Sequence, residues 1–250
     1  MCIRDRYRNF ERIVGYEQLN PRFFVKKEDK EIVAGCFAES FFQTHSGTEE
    51  GMILLSAHYD SYFSGFQDDN TAVSMMLGIA RALIRSGYQP RNTLVFCAMA
   101  AEEWGVADSS FDWSTGAYEQ VFTAHPEWAG KVIADLNFEL PALAHGTRAR
   151  IRSCYEYTSY LNEFLRQLPP LTKAYPDETS VTAPIETWSD DFSIAIAGIP
   201  SMVNDFTGGS FMETHYHSQF DNDDYYDEDV YRLHHLSLIH ISEPTRQEAI

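Results

Sequence analysis

Met52-Ile53-Leu54-Leu55-Ser56-Ala57-His58-Tyr59-Asp60, followed by Gly65-Phe66-Gln67-Asp68-Asp69-Asn70 and then by Thr71-Ala72-Val73-Ser74-Met75-Met76-Leu77-Gly78-Ile79-Ala80, is the segment whose reading decides the fold. Residues 52–57 form a short apolar run of the kind that makes a buried strand. Residues 71–86 carry Val73, Met76, Ala80 and Leu83 at the three-to-four spacing of one helix face. A strand, a polar loop and a helix in that order form one unit of an α/β sheet. The histidine and the acids fall in the loop at the strand's carboxyl end, where open α/β sheets bind ligands.

Working outward, residues 31–39 read as a strand neighbouring 52–57, joined to it by the polar turn 44–51. Residues 92–99, 131–136 and 148–154 read as further strands, and 159–168 as an amphipathic helix with Ser159 as its cap and Pro169-Pro170 ending it. Residues 190–197 predict a short helix leading through Gly198-Ile199-Pro200 into a strand at 201–204, and 227–235 the start of another helix. Strands alternating with helices predict an α/β fold: three α/β/α layers around a mixed, mainly parallel sheet.

The chain has 250 residues, a formal net charge of −18 and 44% hydrophobic residues. That acidity argues against a nucleic-acid partner, which needs a basic patch to neutralise phosphates. No apolar run reaches the length of a membrane span. Cys36 and Cys97 lie in apolar strand-like runs and predict buried thiols, with no disulfide framework. The ends have another origin. Residues 1–6 back-translate to ATG TGT ATA AGA GAC AG and 236–241 to CTG TCT CTT ATA CAC AT, which are reverse complements. Residues 1–6 and 236–250 therefore read as adapter-derived sequence from DNA library preparation and are set aside. Residues 7–235 remain as one domain truncated at both ends, and a signal peptide, membrane anchor or additional domains would be lost with the true termini.

Three candidate ligand sites follow predicted strands: His58 after 52–57, Glu102 and Glu103 after the strand ending near Ala100, and Asp135 closing 131–136. Acids packed at one edge repel and raise one another's pKa unless cations join them. Two zinc ions bring four positive charges; Asp68, Asp135 and Glu103 bring three negative ones and a hydroxide the fourth. Glu102 is left over as a proton acceptor, which predicts hydrolysis by an activated water.

The ordered series His-x-Asp (58–60), Gly-x-x-Asp-Asp-Asn (65–70), Ala-Glu-Glu-x-Gly (101–105), Ala-Asp (134–135) and Tyr-His-Ser (216–218) resembles the M28 family of zinc-dependent aminopeptidases and carboxypeptidases, over residues 58–221. The resemblance implies a zinc exopeptidase-like fold, peptide substrates and two zinc ions per chain. It implies His58 and Asp135 on one ion, Glu103 and His217 on the other, and Asp68 bridging both. Glu102 would be the general base and Asp60 would orient His58. Tyr216 would hydrogen-bond the developing oxyanion. A cis peptide would join Asp68 to Asp69, and Trp188-Ser189-Asp190-Asp191-Phe192 would border the substrate pocket. On family grounds the protein would be secreted or attached to the cell envelope. Removal of an N-terminal residue is the expected reaction. The alternatives are a glutamate carboxypeptidase-like enzyme, a glutaminyl cyclase-like enzyme with one zinc, and a catalytically silent receptor-type ectodomain.

Residues outside the series carry simpler expectations. His215, His234 and His235 read as surface or packing residues, and the acids of 221–229 as a solvated helix start favoured by the helix dipole. Arg148, Arg150 and Arg152 alternate at period two, share one face of a strand, and are expected to be exposed.

Overall fold

A computed structural model of the chain describes residues 35–36, 51–103, 114–141, 148–167, 178–207 and 210–225. The apolar run at 52–57 forms β2 (Met52–His58), and the following helix, α1, spans Thr71–Ser86. Leu54, Leu55, Ser56, Ala57 and His58 are buried in succession, so both faces of β2 are covered. Such continuous burial is characteristic of a parallel strand between helix layers. Met75, Met76, Ile79 and Leu83 of α1 are buried against it, each side chain contributing ~1.5–3 kcal/mol.

The seven strands run in the order β1 (Gly35–Cys36), β3 (Thr93–Met99), β2, β4 (Val132–Asn137), β7 (Ser201–Thr207), β5 (Arg148–Ser153) and β6 (Glu178–Thr182). β3, β2, β4 and β7 are parallel neighbours, and β5 pairs parallel with β6. β1 meets β3, and β5 meets β7, antiparallel. The sheet is thus mixed and mainly parallel, as the alternating pattern predicts. The expected pairing of β1 with β2 is not made, because β3 and β4 occupy both edges of β2. β6 lies in a stretch to which no element was assigned: as an edge strand it is polar, and no apolar run marks it.

Helix α3 (Thr158–Gln167) and α4 (Asp190–Ile196) lie within a residue of their predicted bounds, and the helix expected at 227–235 lies outside the described residues. Among the described residues no helix is long and apolar enough to cross a membrane. The expected exposure of three arginines holds for Arg148 alone. Arg150 donates to Glu178 at 2.9 Å, while Arg152 is buried with its guanidinium 4.2 Å from the Trp188 ring centroid.

One close approach seats the loop that follows β3. Helix α2 (Thr115–Glu119) abuts it, the N–H of Ser114 donating to Glu102 O at 2.6 Å and that of Thr115 to Ala101 O at 3.0 Å. A Cβ on Gly116 would lie 1.6 Å from the carbonyl oxygen of Ala100, so only glycine admits this contact. Gly116→Ala is expected to cost about 3 kcal/mol, the upper end of the overpacking range, read as a lower urea midpoint at constant m. An unchanged midpoint would refute the close seating of α2.

Candidate metal centre

Parallel strands end together, and the site is built on that shared edge. His58 closes β2, aligned with Met99 at the end of β3, and the N–H of Tyr59 donates to Met99 O at 2.9 Å. The chain leaves β3 through Ala101 at φ 54° and delivers Glu102 and Glu103, both buried. On the other side Ser56 of β2 is level with Asn137 of β4, so the position level with His58 is Glu139.

The carboxylate of Asp68 is the meeting point. Its Oδ1 lies 3.2 Å from His58 Nε2, and its Oδ2 lies 3.2 Å from His217 Nε2. His58 Nε2 is also 3.7 Å from Glu139 Oε2, and His217 Nε2 is 2.9 Å from Glu103 Oε2. Among the described residues, three groups have ligand atoms within 4.8 Å of one another and could hold a cation: His58–Glu102–Glu103, and two triads, His58–Asp68–Glu139 and Asp68–Glu103–His217. The two triads share Asp68. The peptide between Asp68 and Asp69 is cis, as the resemblance implies.

The supports are hydrogen bonds from separate segments. The N–H at Nδ1 of His58 donates to the backbone carbonyl of Asp60 at 3.1 Å, so Nε2, which faces Asp68, is the nitrogen that would give up its proton to hold a cation. The Asp60 carboxylate accepts from the N–H groups of Glu102 and Glu103 at 3.1 and 3.2 Å. Asp60 therefore touches the segments of three site residues. Ser189 donates to the Glu139 carboxylate and accepts from Asn137 Nδ2 at 2.8 Å, while Asn204 brackets the Glu139 backbone, accepting from its N–H at 3.0 Å and donating to its carbonyl. The buried Asp69 carboxylate accepts from Leu140 N–H at 3.1 Å, tying the Asp68 loop to the end of β4.

Charge explains the titration behaviour. Burial opposes ionisation of Asp68, but hydrogen bonds from His217 and His58 bring its pKa down to about 2. Burial likewise disfavours the charged form of His217, yet hydrogen bonds to Asp68 and Glu103 lift it to about 9. For His58 burial is again outweighed, by the nearby carboxylates of Glu139, Glu102 and Asp69, and the pKa lies well above that of an ordinary imidazole. Glu102 is held well above the usual carboxylate range by burial, with His58 opposing and Glu139 and Asp190 reinforcing. Its Oε1 accepts from Ser114 Oγ at 3.4 Å, and its Oε2 lies 3.9 Å from His58 Nε2. Burial and the surrounding acids also raise the pKa of the Tyr216 hydroxyl, so it stays a donor. The Tyr216 ring stacks on His217 with centroids 3.7 Å apart.

His58, Asp60, Asp68, Glu102, Glu103, Tyr216 and His217 are thus brought together. Asp135 is not. It pairs in register with Leu54, four residues short of Glu139, ~13 Å back along the strand at the usual rise. Its Oδ1 accepts from Ser56 Oγ at 2.8 Å, and it belongs to neither triad. Beside His58, where Asp135 was expected, stands Glu139, which sequence reading missed because it lies two residues beyond the end of β4. Tyr62 was also missed: its ring lies 4.6 Å from that of His217, and its hydroxyl donates to Glu103 O at 3.3 Å. Asp221, expected to be solvated, is buried, with its two carboxylate oxygens on the N–H groups of Gln67 and Asp68 at 2.8 and 3.1 Å.

A mixed α/β sheet at whose parallel strand ends, with the loops beside them, two imidazoles and several carboxylates gather defines a metal-binding α/β domain. Residues 42–241 match the model of Peptidase family M28, and the chain belongs to that family. A probable glutamate carboxypeptidase of Arabidopsis thaliana is 36% identical over 72 residues, which cover 27% of this chain and 10% of that protein. Among solved structures, a zinc aminopeptidase from Bacillus subtilis superposes with a TM-score of 0.61 at 18% identity, over 82% of this chain and 49% of that one. The glutaminyl cyclase of Porphyromonas gingivalis gives 0.58 at 21% identity, over 78% and 72%. The chain spans about a tenth of the plant protein and about half of the aminopeptidase.

The two readings of Asp135 differ measurably. Burial raises its pKa to about 7, against hydrogen bonds from Ser56 and Ser201. In the unfolded chain it ionises near pH ~4, so between pH ~4 and ~7 the folded state holds a proton that the unfolded state has lost. Stability then falls as pH rises through that window, by up to ~1.4 kcal/mol per pH unit from this group, and levels off above it. Asp135→Asn is expected to remove this contribution, making the variant more stable than the parent at pH 8, with bound zinc unchanged. Loss of zinc would return Asp135 to the ligand set.

Proposed function

We propose that this chain is the catalytic domain of a two-zinc exopeptidase that removes N-terminal residues from peptides. The observation that carries the reading is the position of Asp68, whose two oxygens each lie 3.2 Å from a different imidazole, so that it would serve both triads. His58 and Glu139 would complete one ion's ligands, and Glu103 and His217 the other's. The donor set fits: imidazole nitrogen and carboxylate oxygen are ordinary zinc ligands, and Glu103 Oε1 is buried without a hydrogen-bond partner. Three carboxylates against two divalent ions also leave one positive charge to be met by a hydroxide. Zinc, when bound, supplies Lewis acidity that acidifies water toward pH ~7 and polarises a carbonyl.

The chain's own groups supply the proton traffic. Glu102, buried beside the triads and made basic by burial and its acidic neighbours, takes the proton from the attacking water as oxygen bonds to the scissile carbon. When the carbon–nitrogen bond breaks, the same carboxyl group returns that proton to the leaving amine. The Tyr216 hydroxyl, kept protonated among the acids, donates to the developing oxyanion. Asp60 grips the backbone of Glu102 and Glu103, so that base and ligand keep their spacing.

Purified protein should hold two zinc ions per chain and cleave a free-amine dipeptide amide, with cleavage abolished by chelator and restored by zinc. Cleavage of N-blocked substrate with a free C-terminal acid would reassign the chain as a carboxypeptidase. Release of ammonia from an N-terminal glutamine peptide by protein holding a single zinc would reassign it as a cyclase. Glu102→Gln should retain both ions while turnover falls ~10²–10⁴-fold; unchanged turnover would remove Glu102 from the mechanism.

A further inference from the structure

Both histidines that face Asp68 are followed closely by a buried or half-buried aspartate that forks onto another loop of the site. Asp60, two residues after His58, takes the N–H groups of Glu102 and Glu103. Asp221, four residues after His217, takes those of Gln67 and Asp68, and its backbone carbonyl accepts from Phe66 N–H at 3.2 Å. Three successive N–H groups of the Asp68 loop thus end on one residue more than 150 positions away in sequence. Asp221 is 1% exposed. The segment that carries it is itself tight: Ser218 N–H donates to His215 O and Asp221 N–H to Ser218 O, each at 3.1 Å. His217 lies within this turn at φ 54° and, with its side chain 37% exposed, is the least buried member of the triads.

We infer that Asp221 is a positioning residue that registers His217 on the bridging carboxylate, so that it sets the affinity of the Asp68–Glu103–His217 triad for its ion. The inference rests on the two-ion reading above. A charged carboxylate accepting two N–H groups forms stronger hydrogen bonds than a neutral acceptor, and its geometry fixes the loop in two directions. The loop so fixed carries Asp68, and the turn that fixes it carries His217. Without the fork, the loop and the turn would keep only the Phe66 N–H bond to the Asp221 carbonyl and the direct contact of His217 with Asp68. The His58–Asp68–Glu139 triad has its own support in β2 and in Ser189 and Asn204, and depends on Asp221 less.

The test is calorimetric titration of metal-free protein with zinc, alongside zinc content by mass spectrometry. The parent chain should bind two ions, and Asp221→Asn should weaken one of them ~10–100-fold. In a His217→Ala background, which keeps a single ion, adding Asp221→Asn should change the remaining affinity no more than about twofold. Equal weakening of both ions, or none, overturns the inference. A parent chain that saturates at one zinc overturns the two-ion reading instead. Should Asp221→Asn fail to fold, amide exchange in the parent decides: in metal-free protein the N–H groups of Gln67 and Asp68 should exchange slowly, and slow further on the second equivalent of zinc. Free exchange of both amides refutes the fork.

Discussion

Everything in this site follows from the need to hold several carboxylates within a few ångströms of one another in a place largely closed to water. Asp68, Glu102, Glu103 and Asp69 are all buried, and Glu139 lies within 3.7 Å of the same imidazole that Asp68 touches. Such a cluster raises its own pKa values and works against the fold. The backbone absorbs part of the cost. N–H groups end on Asp60, Asp69 and Asp221, so these three acids are occupied as acceptors and the ligand-bearing loops are tied down by the same contacts.

The two imidazoles supply the remaining compensation, and they do so unequally. His58 is 1% exposed at the end of β2, an interior strand, fixed by a hydrogen bond from Nδ1. His217 stands on a turn between the rings of Tyr62 and Tyr216, partly open to solvent. Their electrostatic roles match these settings. Asp68 stays ionised because both histidines hydrogen-bond it, whereas Glu102, lacking such a partner, is pushed upward. One carboxylate is thereby suited to binding a cation and its neighbour to accepting a proton, although they are the same chemical group in the same cavity.

Much of this was legible in residue order. The apolar run 52–57, the helical spacing of 71–86 and the position of His58 between them require a strand, a loop and a helix, and these are β2, its loop and α1. What could not be read was register. Asp135 on β4 and Glu139 just beyond it differ by four residues, both acids of the same parity, and only the pairing of Ser56 with Asn137 shows which is level with His58. Long-range hydrogen bonding was equally hidden. Asp221 belongs to a run of acids whose composition suggests solvent, and nothing local reveals that the first of them reaches Gln67 and Asp68. The edge strand β6 escaped for a related reason: with water on one side it needs no apolar pattern.

Glu102 and Glu103 show how the fold assigns separate chemistry to adjacent identical residues. In extended or turning backbone, successive side chains diverge, so two consecutive glutamates cannot both face one ion without distortion. The left-handed conformation of Ala101 sets the direction in which the pair leaves β3, and the Asp60 fork fixes both peptide N–H groups in that direction. Glu103 Oε2 then lies against His217 at 2.9 Å, while Glu102 turns to Ser114 and stands 3.9 Å from His58. The separation between ligand and base is therefore held by one peptide unit and one carboxylate. Because Asp60 also receives His58 through its backbone carbonyl, the histidine, the base and the ligand share a single anchor. Displacing Asp60 would move all three relative to Asp68, which is anchored on the opposite side of the site by Asp221.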